Sequence, residues 1–422
     1  MSHAISVTNH PALAPENVTL KREMISTRAM AMMGVGAVCG VVAIIMGTAM
    51  GMQKQAIMGY LVGTMICMGL SLGGLFWTLV FMMFDSGWTA MIKRPFENLA
   101  NMLPFAFGLF LVFYFIEFLS GGIVCSFRVE SYTTGDALFE HKSAYFSVAF
   151  VLARLVIYAM IWGWLLMKVV RPSFEQDRTG DKWITAKQRF HASYGLLLFG
   201  FSVAFFSFDW LKAVADYRFF STMWGVYFFA GCAFSSVAFV TFALTRIKSL
   251  GLLKQGAASD EHFHDLAKLM FAFTVFWAYI AYSQYFLIWY SNIPEETSFF
   301  LFRKQSWPVL TATLVIGHFL VPWYILLWRP VRRNMNVLAL VAIYMLLMHV
   351  LDIYWILRPA VDQGLDAEIA YGGMHIITDI VSILAPLGLY VGWYIMNQMA
   401  ARPVVALHDP RIGEALAHKN YV

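Results

Sequence analysis

The chain has 422 residues, of which 60% are apolar and only 13% charged, with a mean hydropathy of +0.65. A soluble globular chain carries roughly 25% charged residues, so this one takes lipid as its solvent. The net charge is +5, and no nucleic-acid partner is expected of so apolar a chain. The four cysteines (Cys39, Cys67, Cys125 and Cys232) lie far apart. That excludes CxxC, CxxCH and zinc-type spacings, and with them an iron–sulfur cluster or c-type haem held by this chain.

A membrane span needs about 20 mainly apolar residues. Runs of that kind predict helices near 29–51, 57–83, 104–124, 144–168, 190–209, 221–245, 266–290, 306–328, 334–356 and 374–400. The organisation expected is an N-terminal segment over 1–28, one ten-helix membrane domain over 29–400 and a C-terminal tail over 401–422. The first run is too long for a signal-peptide core and reads as a retained helix. Twenty of the 30 lysines and arginines fall in the N-terminal segment, the tail and alternate loops. By the positive-inside rule this places both termini in the cytoplasm and requires an even number of spans.

Two connecting segments look interfacial. Residues 88–103 put Trp88, Met91, Phe96, Leu99 and Met102 on one helical face, which suits a helix lying on the cytoplasmic surface or else a plain loop. The stretch Asp209–Arg218 alternates in charge beside Trp210 and Tyr217, and can cap the outer end of the fifth helix.

A charge near the bilayer centre costs at least about 2.5–3.5 kcal/mol, so each retained one needs a partner, a cavity or a task. Glu117 in the third helix and Arg154 in the fourth have depths that differ by roughly 5 Å at 1.5 Å per residue. They are expected to meet as an ion pair, or to take part in proton or quinone chemistry. His349 and Asp352 are three residues apart in the ninth helix, and His375 and Asp379 four apart in the tenth, so each pair shares a face. All four can converge near the outer surface, where they would pass protons or hold a quinol hydroxyl, or clamp the two helices together.

His318 stands mid-way along the eighth helix with no partner in its own helix, and is either an interhelical hydrogen bond or a ligand. The seventh helix carries Tyr279, Tyr282, Ser283, Gln284, Tyr285 and Tyr290, a polar stripe that must face protein or a cavity. At the inner ends His191, His262, His264, Asp265 and Lys268 are either solvated loop residues or the mouth of a proton path. Bis-histidine b-type haems usually need two histidines about 13–14 residues apart on one helix, and that spacing is lacking here, so no b-type haem is expected.

The stretch HDLAKLMF at His264–Phe271, continued by FAFTVFWAYIAYSQYFLIWYSNIPEET to Thr297, resembles the NrfD-like membrane subunits of alternative complex III, the ActF type above all. The run FFSTMWGVYFFAG at Phe219–Gly231 fits the same family, as does the group His349, Asp352, Tyr354 and Trp355. The resemblance implies two four-helix bundles flanked by two further helices. It also implies a place in a bacterial complex that oxidises menaquinol and passes electrons to a periplasmic acceptor. The partners implied are a second NrfD-like subunit, an iron–sulfur subunit and c-type cytochromes, which hold the clusters and haem c. Within such a complex the chain is an auxiliary subunit that lines a proton path or a quinone pocket. The candidate groups are Glu117, Arg154, His318, His349, Asp352, His375 and Asp379.

Two other readings stay open on the residues. A proton-coupled transporter also needs polar groups deep in a bundle, together with interrupted helices. Gly34, Gly36 and Gly40, Gly69, Gly73 and Gly74, and Pro308 and Pro322 are the available breakpoints, although the glycines equally suit close helix packing. The remaining reading is a purely structural anchor for a complex.

Overall fold

The computed structural model describes residues 10–129, 133–361 and 373–420, and no strand occurs among them. Ten helices are long and apolar enough to cross a membrane. They are α1 (Arg22–Ala49), α2 (Gln53–Met83), α3 (Leu103–Leu119), α4 (Val148–Leu165), α5 (Trp183–Ser207), α6 (Trp224–Ser249), α7 (Asp260–Ser291), α8 (Pro308–Leu327), α9 (Met335–Leu357) and α10 (Gly373–Tyr394). The protein is therefore an all-α, multi-pass membrane protein, and each expected span is present.

The helices α2 and α6 are buried along nearly their whole length and pack against each other. Helices α3 and α5 lie against α2, and α4 lies against α5. Helices α7 and α9 lie against α6, with α8 against both. Two four-helix bundles, α2–α5 and α6–α9, thus share the α2/α6 seam, while α1 and α10 flank it and pack on each other and on α2. Close approach at these seams explains Gly36, Gly73 and Gly74, whereas Gly34 has open space beside it. A Cβ on Gly73 would lie 2.0 Å from the Cys232 carbonyl oxygen, and one on Gly36 would lie 2.6 Å from the Leu389 nitrogen. Since α1 and α2 run unbroken, these glycines serve packing and do not interrupt a helix.

The eighth span is irregular in its middle. Pro322 has no N–H to offer the carbonyl four residues back, at His318, and the preceding residues Leu314–Leu320 form a π-helical stretch. Such stretches concentrate at functional sites.

Both termini lie at one end of the bundle, here called the terminal face. The Val404 N–H donates to the Val18 carbonyl at 2.8 Å, and the Leu253 N–H to the Asn17 carbonyl at 2.9 Å. The tail is accordingly packed against the membrane domain over its described length. It also overturns the interfacial reading of 88–103. The helix Lys93–Asn101 is wholly enclosed, with Lys93, Arg94 and Glu97 at most 1% exposed. Its cations pair with Glu97 of the same helix, Arg94 at 2.6 Å, and with acids from outside the segment, Lys93 with Asp409 of the tail and Arg94 with Asp177 at 2.5 Å. A buried ionic hub holds it, so it neither floats on lipid nor forms a loop.

Candidate functional site

Of the seven residues singled out from sequence, Glu117, Arg154 and Asp379 are held by direct hydrogen bonds, although Arg154 Nη2 and Asp379 Oδ1 have no partner among the described residues; His375 stands apart, and His318, His349 and Asp352 form one under-paired cluster. Glu117 and Arg154 do not meet. The Glu117 carboxylate accepts from the backbone N–H groups of Ile123, Val124 and Cys125 at 3.0–3.2 Å. It closes the turn after α3, where several amides would otherwise be unsatisfied. Arg154 pairs with Asp209 at 2.9 Å, which also accepts from Tyr145 and Tyr158 at 2.7 Å. Asp209 stands on a π-helical turn, Phe208–Lys212, that prolongs α5. It is a buried counter-ion and not a surface cap.

His349 and Asp352 do not converge with His375 and Asp379. Asp379 accepts from the Arg358 guanidinium at 2.8 Å and from the Tyr354 hydroxyl at 2.7 Å, which locks α9 to α10. Tyr354 lies two residues beyond Asp352, and two residues turn a helix by about 200°, so the two aspartates serve opposite faces of α9. His375 is half-buried on the first turns of α10, beside Asp379.

The under-paired cluster lies inside the second bundle. Asp352 is fully buried. It accepts from the Tyr227 hydroxyl of α6 and, at 3.1 Å, from the Trp277 indole N–H of α7. His349 places Nδ1 3.9 Å from the same carboxylate. His318 enters from the π-helical stretch of α8, which sequence reading left without a partner. Its ring is sandwiched between Trp277, with centroids 3.8 Å apart, and Phe234, at 4.6 Å. Stacking covers the faces of an imidazole and leaves its nitrogen-bearing edges open. Its centroid lies 6.5 Å from that of His349. Glycine makes room here too, because a Cβ on Gly231 would lie 2.7 Å from His349 Cε1.

All four ring nitrogens of His318 and His349 are buried, and none has a hydrogen-bond partner among the described residues. A buried polar atom left unsatisfied costs about 1–3 kcal/mol, so this concentration in one place asks for a ligand, a water or a transferable proton. Ligand-capable atoms of His318, His349 and Asp352 all lie within 4.8 Å of one another. A tetrahedral ion with bonds of about 2.0–2.1 Å needs ligands roughly 3.3 Å apart, so an ion would require the widest of these gaps to close. A proton on a ring nitrogen requires no closure.

Two further expectations change. The tyrosine stripe of α7 faces outward and not into a cavity of this chain. Tyr279 and Tyr282 are each 64% exposed, and only Gln284 turns inward, accepting from Ser221 at 2.6 Å. At the terminal face His262, His264 and Asp265 are buried, because the tail covers them. His418 meets Asp265 at 2.6 Å, so these are not solvated loop residues. His191 stands apart, half-buried against Tyr194 at 2.6 Å.

Fold and site together define a ten-span integral membrane protein with an under-paired His–His–Asp centre in its second bundle. No protein-family model matches the chain, and no curated protein matches it. The likeness to NrfD-like subunits rests on three segments: Phe219–Gly231, His264–Thr297 and the His349 group. Each contributes to the centre, the first through Tyr227, the second through Trp277 and the third through His349 and Asp352.

Proposed function

We propose that this chain is a membrane subunit of a quinol-oxidising electron-transfer complex of the alternative complex III type. In this reading the His318–His349–Asp352 centre accepts and passes protons, or receives a quinol hydroxyl. The observation that carries it is the set of four buried ring nitrogens, unpaired among the described residues, beside a carboxylate; His349, Asp352, Tyr227 and Trp277 lie in the segments that resemble the family, and His318 joins them from α8. Oxidation of a quinol releases two electrons and two protons. Iron–sulfur clusters and haem c in partner subunits take the electrons, menaquinol being the donor that the resemblance implies.

This chain's part is acid–base. A neutral imidazole nitrogen takes a proton and Asp352 stabilises the imidazolium that results, while Tyr227 and Trp277 fix the carboxylate. With the terminal face in the cytoplasm of a bacterial inner membrane, the centre lies about 8–12 Å from the outer end of α9, five to eight residues at 1.5 Å each. The outward tyrosines of α7 supply hydroxyls at lipid depth, where a polar group needs a partner, and this face is where a neighbouring membrane subunit would sit.

The test is the turnover of the intact complex. Asp352→Asn and His349→Gln should each slow quinol oxidation by roughly ten- to a hundredfold, the low end of what positioned acid–base groups contribute, with assembly unchanged. Full turnover in both variants would leave the chain as an anchor. That second reading draws support from the clamps Arg154–Asp209 and Arg358–Asp379, whose charges are cancelled without any task.

A further inference from the structure

At the terminal face the end of α6 and the start of α9 leave a pocket of about 150 Å³, lined by Thr245, Arg246, Lys248, Ser249, Met335 and Asn336. It brings two cations and two hydroxyls together with the apolar Met335 and Ala339. Arg246 is exposed, and its guanidinium makes no hydrogen bond or ion pair among the described residues. Lys248 donates to the Ala258 carbonyl at 3.1 Å and approaches Asp260 at 3.4 Å, which leaves it one free N–H.

The short helix Arg329–Arg333 leads directly into α9 and adds three more arginines. Only Arg333 is paired among the described residues, to Glu261 at 2.7 Å. Arg246, Arg329 and Arg332 thus form an uncompensated positive corner. The depth of this corner is marked by Tyr324 and Trp328, both more than half exposed, on the turn just before Arg329. Exposed Tyr and Trp settle at the headgroup level. From the pocket toward the membrane interior, α9 presents Leu340, Ile343 and Leu347, an exposed aliphatic strip at three- and four-residue spacing on the same face as Asn336.

We propose that this pocket binds the headgroup of an anionic phospholipid. Arg246 holds the phosphodiester, with Lys248 and the Asn336 amide beside it, and the acyl chains lie along Leu340, Ile343 and Leu347. A basic pocket between membrane helices with hydrocarbon beneath it has the chemistry of such a site. A soluble anion would use the cations but not the strip. The inference stands apart from any redox or proton role.

The test uses the full chain, in its complex where it assembles, reconstituted in nanodiscs of phosphatidylcholine alone or mixed with phosphatidylglycerol or cardiolipin. Retained lipid is counted by native mass spectrometry. The expected result is preferential retention of the anionic lipid. Arg246→Gln should weaken it about fivefold, the worth of one basic residue at an anionic surface, while Arg246→Lys keeps most of it. Arg28→Gln, which removes an exposed cation elsewhere on the terminal face, should leave it unchanged. Equal retention of phosphatidylcholine would overturn the proposal, as would equal losses in Arg28→Gln and Arg246→Gln. Full displacement by inorganic phosphate would assign the pocket to a free anion and overturn the lipid.

Discussion

Two buried polar groups, both inside the bilayer, differ in how they are satisfied. Around Arg154 the charges cancel, as Asp209 accepts from the guanidinium and from two tyrosines, and the Tyr145 carbonyl takes a second guanidinium N–H at 2.8 Å. Around His349 the carboxylate is held, but four ring nitrogens are left without partners. A polar residue at membrane depth is therefore a poor pointer to function by itself. What separates a clamp from a candidate site is whether each side chain has a direct hydrogen-bonding partner, as Arg154 has in Asp209 and as His318 and His349 lack among the described residues.

The sharpest way to break that comparison is to remove half of a clamp. Arg154→Ala leaves Asp209 buried and uncompensated, which should destabilise the fold by about 3–5 kcal/mol, read as loss of folded protein in detergent. Replacing both partners, as Arg154→Met with Asp209→Leu, should recover a large part of the loss.

Smaller is the effect of crowding the centre. Gly231→Ala should cost about 1–3 kcal/mol by overpacking, because the new methyl meets His349 at 2.7 Å. It should also displace that ring, so turnover falls in step with the shift in thermal unfolding. His349→Gln, by contrast, removes a ring with no hydrogen bonds to lose. It should change stability by only about 1 kcal/mol or less on the terms that govern hydrogen bonds, as measured by the same melt.

The smallest expected effect is in a loop outside the spans. The Tyr217 hydroxyl and, behind it, the Arg218 guanidinium hold the Asp136 carboxyl down to about 2. A group depressed on folding adds stability above its ordinary value near 3.8 and loses it as pH falls through the folded value. Stability should therefore fall between about pH 4 and pH 2, and Asp136→Asn should flatten that part of the pH profile.

How much of this was legible in the chain depends on the range of the signal. The ten spans could be read because length and hydropathy are local properties, although hydropathy did not mark α2 and α6 as the central pair, since the first and ninth spans are more apolar. The shared face of His349 and Asp352 follows from helical periodicity alone. Their partners do not, because Tyr227 and Trp277 come from helices 125 and 75 residues away from Asp352 in the chain.

Depth estimates brought Glu117 and Arg154 to a similar level, but depth does not set azimuth. Asp209 won the arginine because the π-helical turn at Phe208–Lys212 reorients it, and hydropathy does not reveal a π-turn. His318 looked solitary for a related reason, since its neighbours are set by the irregular stretch before Pro322. The one available hint was that the segments of distinctive sequence all carried an aromatic or acidic group that could point inward.

The account turns on whether the unpaired histidines handle protons while the clamps do not. The direct measurement is the number of protons released per electron passed by the intact complex in sealed vesicles, compared between His349→Gln and Asp379→Asn, each scored only where assembly matches the wild type. The account predicts a lowered ratio or abolished release in His349→Gln and an unaltered ratio in Asp379→Asn. Wild-type turnover and an unaltered ratio in His349→Gln would contradict it.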